Sequence, residues 1–215
     1  MRGALLSVNY LADVPGHTTG WDHDRVPLLV SPVHPAGALR SLSQPRIEAG
    51  GLVLRPWRAS DAETVRTAFD CPDIQRWHVR RMDSRDEALA WIEAWKPRWD
   101  SEKDASWAIA VDDEPVGQAG LRTISLFEGS AQLSYWVLPG ARGAGIAVRA
   151  AHALTRWTFD VLGFHRVFLQ HSTANAASCR VATKLGFPVE GTSRSALLHA
   201  DGWHDIHTHA RLSTD

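Results

Sequence analysis

The chain has 215 residues, 44% of them hydrophobic and 22% charged, a globular mix whose length suits one domain with an appendage. Twenty-three basic side chains against twenty-four acidic ones leave a net charge of −1, so there is no overall basic footprint for nucleic acid. Two cysteines, Cys71 and Cys179, are too few for a disulfide framework, and the chain lacks both an apolar run of membrane-spanning length and a signal-peptide pattern, so a cytoplasmic protein is expected.

Residues 1–48 contain Pro15, Pro27, Pro32, Pro35 and Pro45 with Gly16, Gly20 and Gly37 among them, a density of breakers that prevents long elements. The expectation is an irregular N-terminal extension over 1–48 that is dispensable for the fold. It is either poorly ordered or an arm lying over a domain through Leu28, Leu29 and Val30. Residues 49–215 read as one domain. A strand over 52–58 precedes Ser60, which with Glu63 forms a capping box for a helix carrying Val65 and Phe69. The box recurs at Ser84 and Glu87, before Leu89, Ile92, Trp95 and Trp99 at helical spacing. Strands follow over 107–111, 115–124 and 131–138. A long helix then carries Ile146, Ala150, Leu154, Trp157 and Val161 as its buried stripe. A strand over 166–171, a helix over 175–185 and strands over 187–193 and 203–212 complete the chain. This order predicts an α/β (α+β) fold, with a single mixed sheet flanked by helices.

The stretch from Leu133 to Ala150 is the most informative. A strand ends at Leu138, Pro139 stops the ladder, Gly140, Gly143 and Gly145 free the backbone, and a helix begins. In such a turn, loop N–H groups converge with the unpaired N–H groups of the helix N-terminus, forming an anion site to which Arg142 adds charge. A tight structural turn is the plain alternative. No Lys-Ser/Thr pair follows the glycines, which excludes a P-loop, and Val148 stands where a dinucleotide fingerprint requires its third glycine.

The run Arg142, Gly143, Ala144, Gly145, Ile146, Ala147 resembles the pyrophosphate turn of the GCN5-related N-acetyltransferases. The preceding Tyr135-Trp136-Val137-Leu138-Pro139 is similar to that family's splayed central strand. Downstream, Asn175-Ala176-Ala177-Ser178 through Lys184-Leu185-Gly186-Phe187 resembles its closing signature. The resemblance spans residues 52–212. It implies acetyl-CoA as co-substrate and transfer of an acyl group to a primary amine, such as a protein N-terminus, a polyamine or an amine-bearing small molecule. Trp136, Val137, Leu138, Arg142 to Ala147, Asn175 and Ser178 would bind the cofactor, with the backbone near Val137 donating to the thioester oxygen and Asn175 holding the pantetheine amide. A homodimer is frequent among such proteins. A non-catalytic coenzyme-A-binding module is the alternative.

Most of that family carries a tyrosine seven residues after the asparagine, where this chain has Ala182. Ser178, three residues after Asn175, resembles the RimJ/RimL-like branch instead. It is the candidate catalytic acid, lying one helical turn from Ala182 on the same face. A hydroxyl bonded to its own helix is the plain alternative. For a base, Asp70, Glu128, His78 and His199 are open candidates without a spacing argument. Trp77 and His78 are expected to line the acceptor pocket. Asp205, His207 and His209 share one face of a strand, but their spread along it, ~13 Å, favours a polar sheet face, so no metal is expected.

Overall fold

In the computed structural model, residues 29–215 are described. Leu28, the first of the three residues with an expected docking role, lies outside them, as does everything before it. Strands β1 (Ile47–Glu48) and β2 (Val53–Arg55) lead into α1 (Ala62–Asp70), α2 (Pro72–His78), α3 (Arg85–Glu93) and α4 (Trp95–Asp100). Strands β3 (Ala105–Val111), β4 (Glu114–Ser125) and β5 (Ser130–Val137) follow, then α5 (Ile146–Asp160), β6 (Arg166–Ser172), α6 (Ala176–Lys184), β7 (Val189–His199) and β8 (Gly202–Leu212). The eight strands form one sheet in the order β1-β2-β3-β4-β5-β6-β8-β7. The β5–β6 pair is parallel, and the ladders on either side of it are antiparallel.

Alternation along β5 sends its side chains to two cores. Leu133 and Val137 join the main cluster with Leu154 of α5, Val167 of β6 and Ala182 of α6, whereas Trp136 packs with Ala68 of α1 and Ile74 of α2. Helices therefore cover both faces, as the binary pattern requires.

Several local expectations are corrected. The first helix is not capped by Ser60 and Glu63. Asp61 instead accepts the Arg58 backbone N–H and binds Arg55 through both carboxylate oxygens at 2.7 and 2.9 Å, a buried ion pair that fixes the strand-to-helix corner. Ser84 does cap its helix, accepting the Glu87 N–H, but Glu87 reaches back to the Asp83 N–H and not to that of Ser84. Its helix then divides at Ala94, because Pro97 has no N–H for the carbonyl of Glu93. Helix α2, which carries Trp77 and His78, was not anticipated. Val161, expected in the buried stripe, follows the end of α5 and is exposed.

Residues 32–48 form little regular structure yet pack against the sheet. Glu102 accepts N–H bonds from Gly37, Leu39 and Arg40, and the indoles of Trp99 and Trp107 donate to the carbonyls of Leu42 and Pro45. Leu39 is 1% exposed within the main core. The pattern of breakers excludes long elements, but it says nothing about burial of single apolar side chains. A chain starting at Ala49 should therefore unfold at a lower temperature than one starting at Pro32. Leu39→Ala alone should cost about 2–5 kcal/mol in denaturant titration. Equal midpoints would mean that this segment adds nothing to the core.

Candidate active site

The parallel ladder between β5 and β6 is short. It pairs Ser130, Ala131 and Gln132 with Arg166, Val167 and Phe168, and then stops, although both strands continue. Beyond Gln132 they splay into a wedge, and the backbone on the β6 side of β5 is released from pairing. Which groups face the wedge follows from the other ladder. The Leu138 N–H donates to the Val116 carbonyl at 2.9 Å, and Val137 lies opposite Gly117. In an antiparallel pair, bonded and non-bonded positions alternate, so the peptide groups of Val137 and Tyr135 point away from β4 into the wedge. Arg142 Nε donates to the Val137 carbonyl at 3.0 Å, consistent with that direction. The Val137 N–H thus points into the wedge, unpaired with β4.

The wedge opens onto the glycine turn. Gly143 and Gly145 have φ of +86° and +72°, and Gly145 is the N-cap of α5. A Cβ at Gly140, Gly143 or Gly145 would meet no atom within 4 Å, so the turn presents bare backbone to open space. A cleft of about 220 Å³ lies there, lined by Val137, Arg142 to Ala147 apart from Ala144, and by Ala177, Arg180, Val181 and Lys184 of α6. Ala177, Arg180 or Val181, and Lys184 recur at helical spacing on one face. This periodicity is visible in the sequence and would have set Arg180 and Lys184 beside the glycine turn as further candidates. Arg142 also pairs with exposed Asp73 of α2 at 2.7 Å. Arg149, at the second turn of α5, bonds the carbonyls of Gly50 and Ala144 and so holds the glycine turn from behind.

The other expected residues are placed as follows. Leu138 and the side chain of Trp136 pack in the cluster on the face opposite α5, away from the glycine turn. Asn175 is the N-cap of α6, its side-chain oxygen accepting the Ser178 N–H at 3.1 Å. The Ser178 hydroxyl lies beside the phenol of Tyr135, whose oxygen is buried without a hydrogen bond of normal geometry. Burial pushes that phenol up to about 12, against the influence of Ser178, so it remains protonated at neutral pH. Tyr135 is the residue that sequence reading missed here. Its inward direction was available from strand alternation, but its approach to Ser178 was not.

His78, at the end of α2, lies near the Tyr135 backbone. Burial pushes its imidazole down to about 4, the Arg122 charge acts in the same direction, and the Tyr135 backbone opposes both. Trp77 meets the rings of His199 and His204 at 5.9 and 6.3 Å. His204 bridges Ser172 at 2.7 Å and Asp201 at 2.8 Å, and the Ser172 oxygen also accepts the Ala174 N–H. His199 donates to the Arg76 carbonyl and leaves Nε2 buried and unpartnered. Asp70 is exposed at the end of α1, and Glu128 is exposed in the turn before the start of β5, remote from the splayed end.

His78 has a consequence for stability. Its folded pKa is below the unfolded value near 6.5, so the unfolded chain takes up the proton first as pH falls. Stability is intact above pH 6.5 and declines toward pH 4, by about 2–3 kcal/mol for this group. His78→Gln should lose less stability over that range in paired thermal melts, and parallel curves would contradict the assignment.

Residues 51–188 match the family model described as the acetyltransferase (GNAT) domain. The chain is 26% identical to the uncharacterized N-acetyltransferase YoaA of Bacillus subtilis over 70% of its own length and 86% of that relative. It is 27% identical to a ribosomal-protein-serine acetyltransferase of Escherichia coli, over 48% of this chain and 58% of that protein. Among solved structures, Mycobacterium smegmatis RimJ in complex with a coenzyme A disulfide aligns at TM-score 0.71 and 23% identity, covering 79% of this chain and 85% of that one.

Proposed function

The chain belongs to the GNAT acetyltransferase family, and on that premise we propose that it moves an acetyl group from acetyl-CoA directly to the α-amine of a peptide or protein N-terminus. The observation that carries this reading is the wedge, in which the Val137 N–H faces the opening that leads to the glycine turn. The Gly143 and Gly145 backbone, with Arg180 and Lys184, would hold the pyrophosphate, and Asn175 would meet the pantetheine arm. One relative is named as a ribosomal-protein-serine acetyltransferase, which supports an acceptor of this kind. Another is named as a spermidine N(1)-acetyltransferase, so the choice between them rests on the strength of the base.

Held together in the wedge, amine and thioester react as one unit, and positioning of this kind contributes ~7–11 kcal/mol. The amine nitrogen attacks the carbonyl carbon, and the Val137 N–H donates to the oxygen as negative charge develops. As the carbon–sulfur bond breaks, Ser178 and Tyr135 supply a hydrogen bond, and one of them a proton, to the departing sulfur. The proton that the attacking nitrogen then loses through water restores that hydroxyl. Tyr135 then occupies, from the strand side, the role that Ala182 leaves empty on α6.

In this reading His78 takes the ammonium proton, but with a pKa near 4 it is a weak base. It suits an α-amine, which titrates near 8, far better than an alkylamine near 10. This contrast selects N-termini over polyamines. The kcat/KM for an N-terminal peptide should accordingly rise with pH up to about 8, following the amine, with no break near 6.5 from His78. A panel of N-terminal peptides, polyamines and amino-sugars, scored by thiol release and product mass, tests the reading. Acetylation of peptides is expected. Binding of acetyl-CoA without transfer to any amine would overturn it in favour of a binding module.

A further inference from the structure

Four donors unused by the transfer chemistry converge beneath α6. His171 of β6 lies directly opposite His207 of β8, and His209 is two residues further along β8 on the same face. Cys179 of α6 covers that face. One donor atom from each of the four lies within 4.8 Å of all the others. His171 and His209 are buried, and the Nδ1 of His207 is buried with no hydrogen-bond partner.

The hydrogen bonds around the two buried rings fix their tautomers. His171 Nδ1 lies 2.7 Å from the Ser172 carbonyl, and His209 Nδ1 lies 3.1 Å from the Phe187 carbonyl. A carbonyl oxygen only accepts, so each Nδ1 carries the proton, and in a neutral ring Nε2 is then a bare lone pair. Yet the two Nε2 atoms face each other at 3.1 Å. Two lone pairs at that distance repel unless a positive species lies between or beside them. A proton on one ring would meet the need but would leave the buried His207 Nδ1 without a partner. A metal ion held by all four residues meets both needs. Two Zn–N bonds of ~2.0–2.1 Å at a tetrahedral angle place their nitrogens about 3.3 Å apart, close to the observed separation. Ligating histidines also commonly donate their other N–H to a backbone carbonyl, as both rings do here.

We propose that His171, His207, His209 and Cys179 form a closed, tetrahedral zinc site that clasps α6 to strands β6 and β8. Three neutral imidazoles give lone pairs, and the Cys179 thiol releases its proton to solvent on binding, so the site carries a net charge of +1. Imidazole and thiolate together select zinc over magnesium or calcium. With all four positions filled by protein, the ion is structural and takes no part in acyl transfer. Its consequence for the neighbouring site is positional, since Cys179 adjoins Ser178 at the start of α6. Sequence reading considered His207 and His209 together with Asp205 along one strand and found them too spread. The convergence comes from across the ladder and from the helix above, which spacing along one strand cannot reveal.

The test uses the full chain, stripped with a chelator and titrated with zinc against a chromophoric competitor, and in parallel with cobalt. The expected result is one zinc per chain and a raised thermal midpoint. Cobalt should give the intense visible bands of a tetrahedral site and a near-ultraviolet thiolate charge-transfer band. Cys179→Ser, at a partly exposed position, should remain folded, lose the charge-transfer band and weaken zinc binding by about two orders of magnitude. His207→Gln should lower affinity and abolish the zinc-dependent rise in midpoint. A folded wild-type chain that takes up no stoichiometric zinc or cobalt would overturn the proposal, as would a cobalt spectrum unchanged by Cys179→Ser.

Discussion

Gly143→Val is expected to abolish measurable acetyl-CoA binding, with affinity falling at least about 100-fold. Two effects add. The native φ of +86° is one that a β-branched residue adopts only under strain, at a cost of about 1–2 kcal/mol or more. The new side chain would also project into the open space beside the turn, where no protein atom lies within 4 Å of the added Cβ and where a phosphate must approach the backbone. Loss of even one or two charge-assisted N–H bonds removes about 1.5–3 kcal/mol each. Because the Cβ meets nothing in the protein itself, the fold should survive, and calorimetry with the folded variant reads binding alone. Unchanged affinity would move the pyrophosphate elsewhere.

The second large effect concerns the departing thiolate. Ser178→Ala and Tyr135→Phe should each lower kcat by about 10–100-fold while leaving acetyl-CoA affinity nearly unchanged, since hydrogen bonds made to developing charge act in the transition state and not in the ground state. General acid assistance spans ~10²–10⁴-fold, and hydroxyls of such high pKa belong at or below its low end. The double variant should lose little more than the worse single one if the two hydroxyls act as a unit. Additive losses would mean independent roles, and wild-type turnover in both single variants would leave the thiolate departing unassisted.

The anion turn was legible because it is local: glycine spacing, a proline stop and a following helix all lie within a dozen residues. The sheet order and the splay of β5 from β6 required the family resemblance, since nothing in residues 130–137 alone says where pairing ends. Ser178 was singled out through the resemblance to the RimJ/RimL-like branch. Its neighbour Tyr135 was quoted only as part of the strand, because contact between a strand and a helix forty residues apart leaves no periodic trace. The same reason hid the His204 bridge between Ser172 and Asp201 and the group of His171, His207, His209 and Cys179. Residues 32–48 show the complementary failure. Prolines and glycines leave only the two-residue β1 as a strand there, but burial of Leu39 depends on the surface it meets.

The central claim is that the thioester lies in the wedge with its oxygen at the Val137 N–H. Titration of the ¹⁵N-labelled chain with acetyl-CoA, followed through its backbone amide resonances, tests it most directly. Val137, Gly143 and Gly145 should show the largest shifts and saturate together at one equivalent, with Val137 responding to acetyl-CoA more strongly than to free coenzyme A, which lacks the carbonyl. Saturable shifts confined to other amides, with Val137 unmoved, would contradict the account.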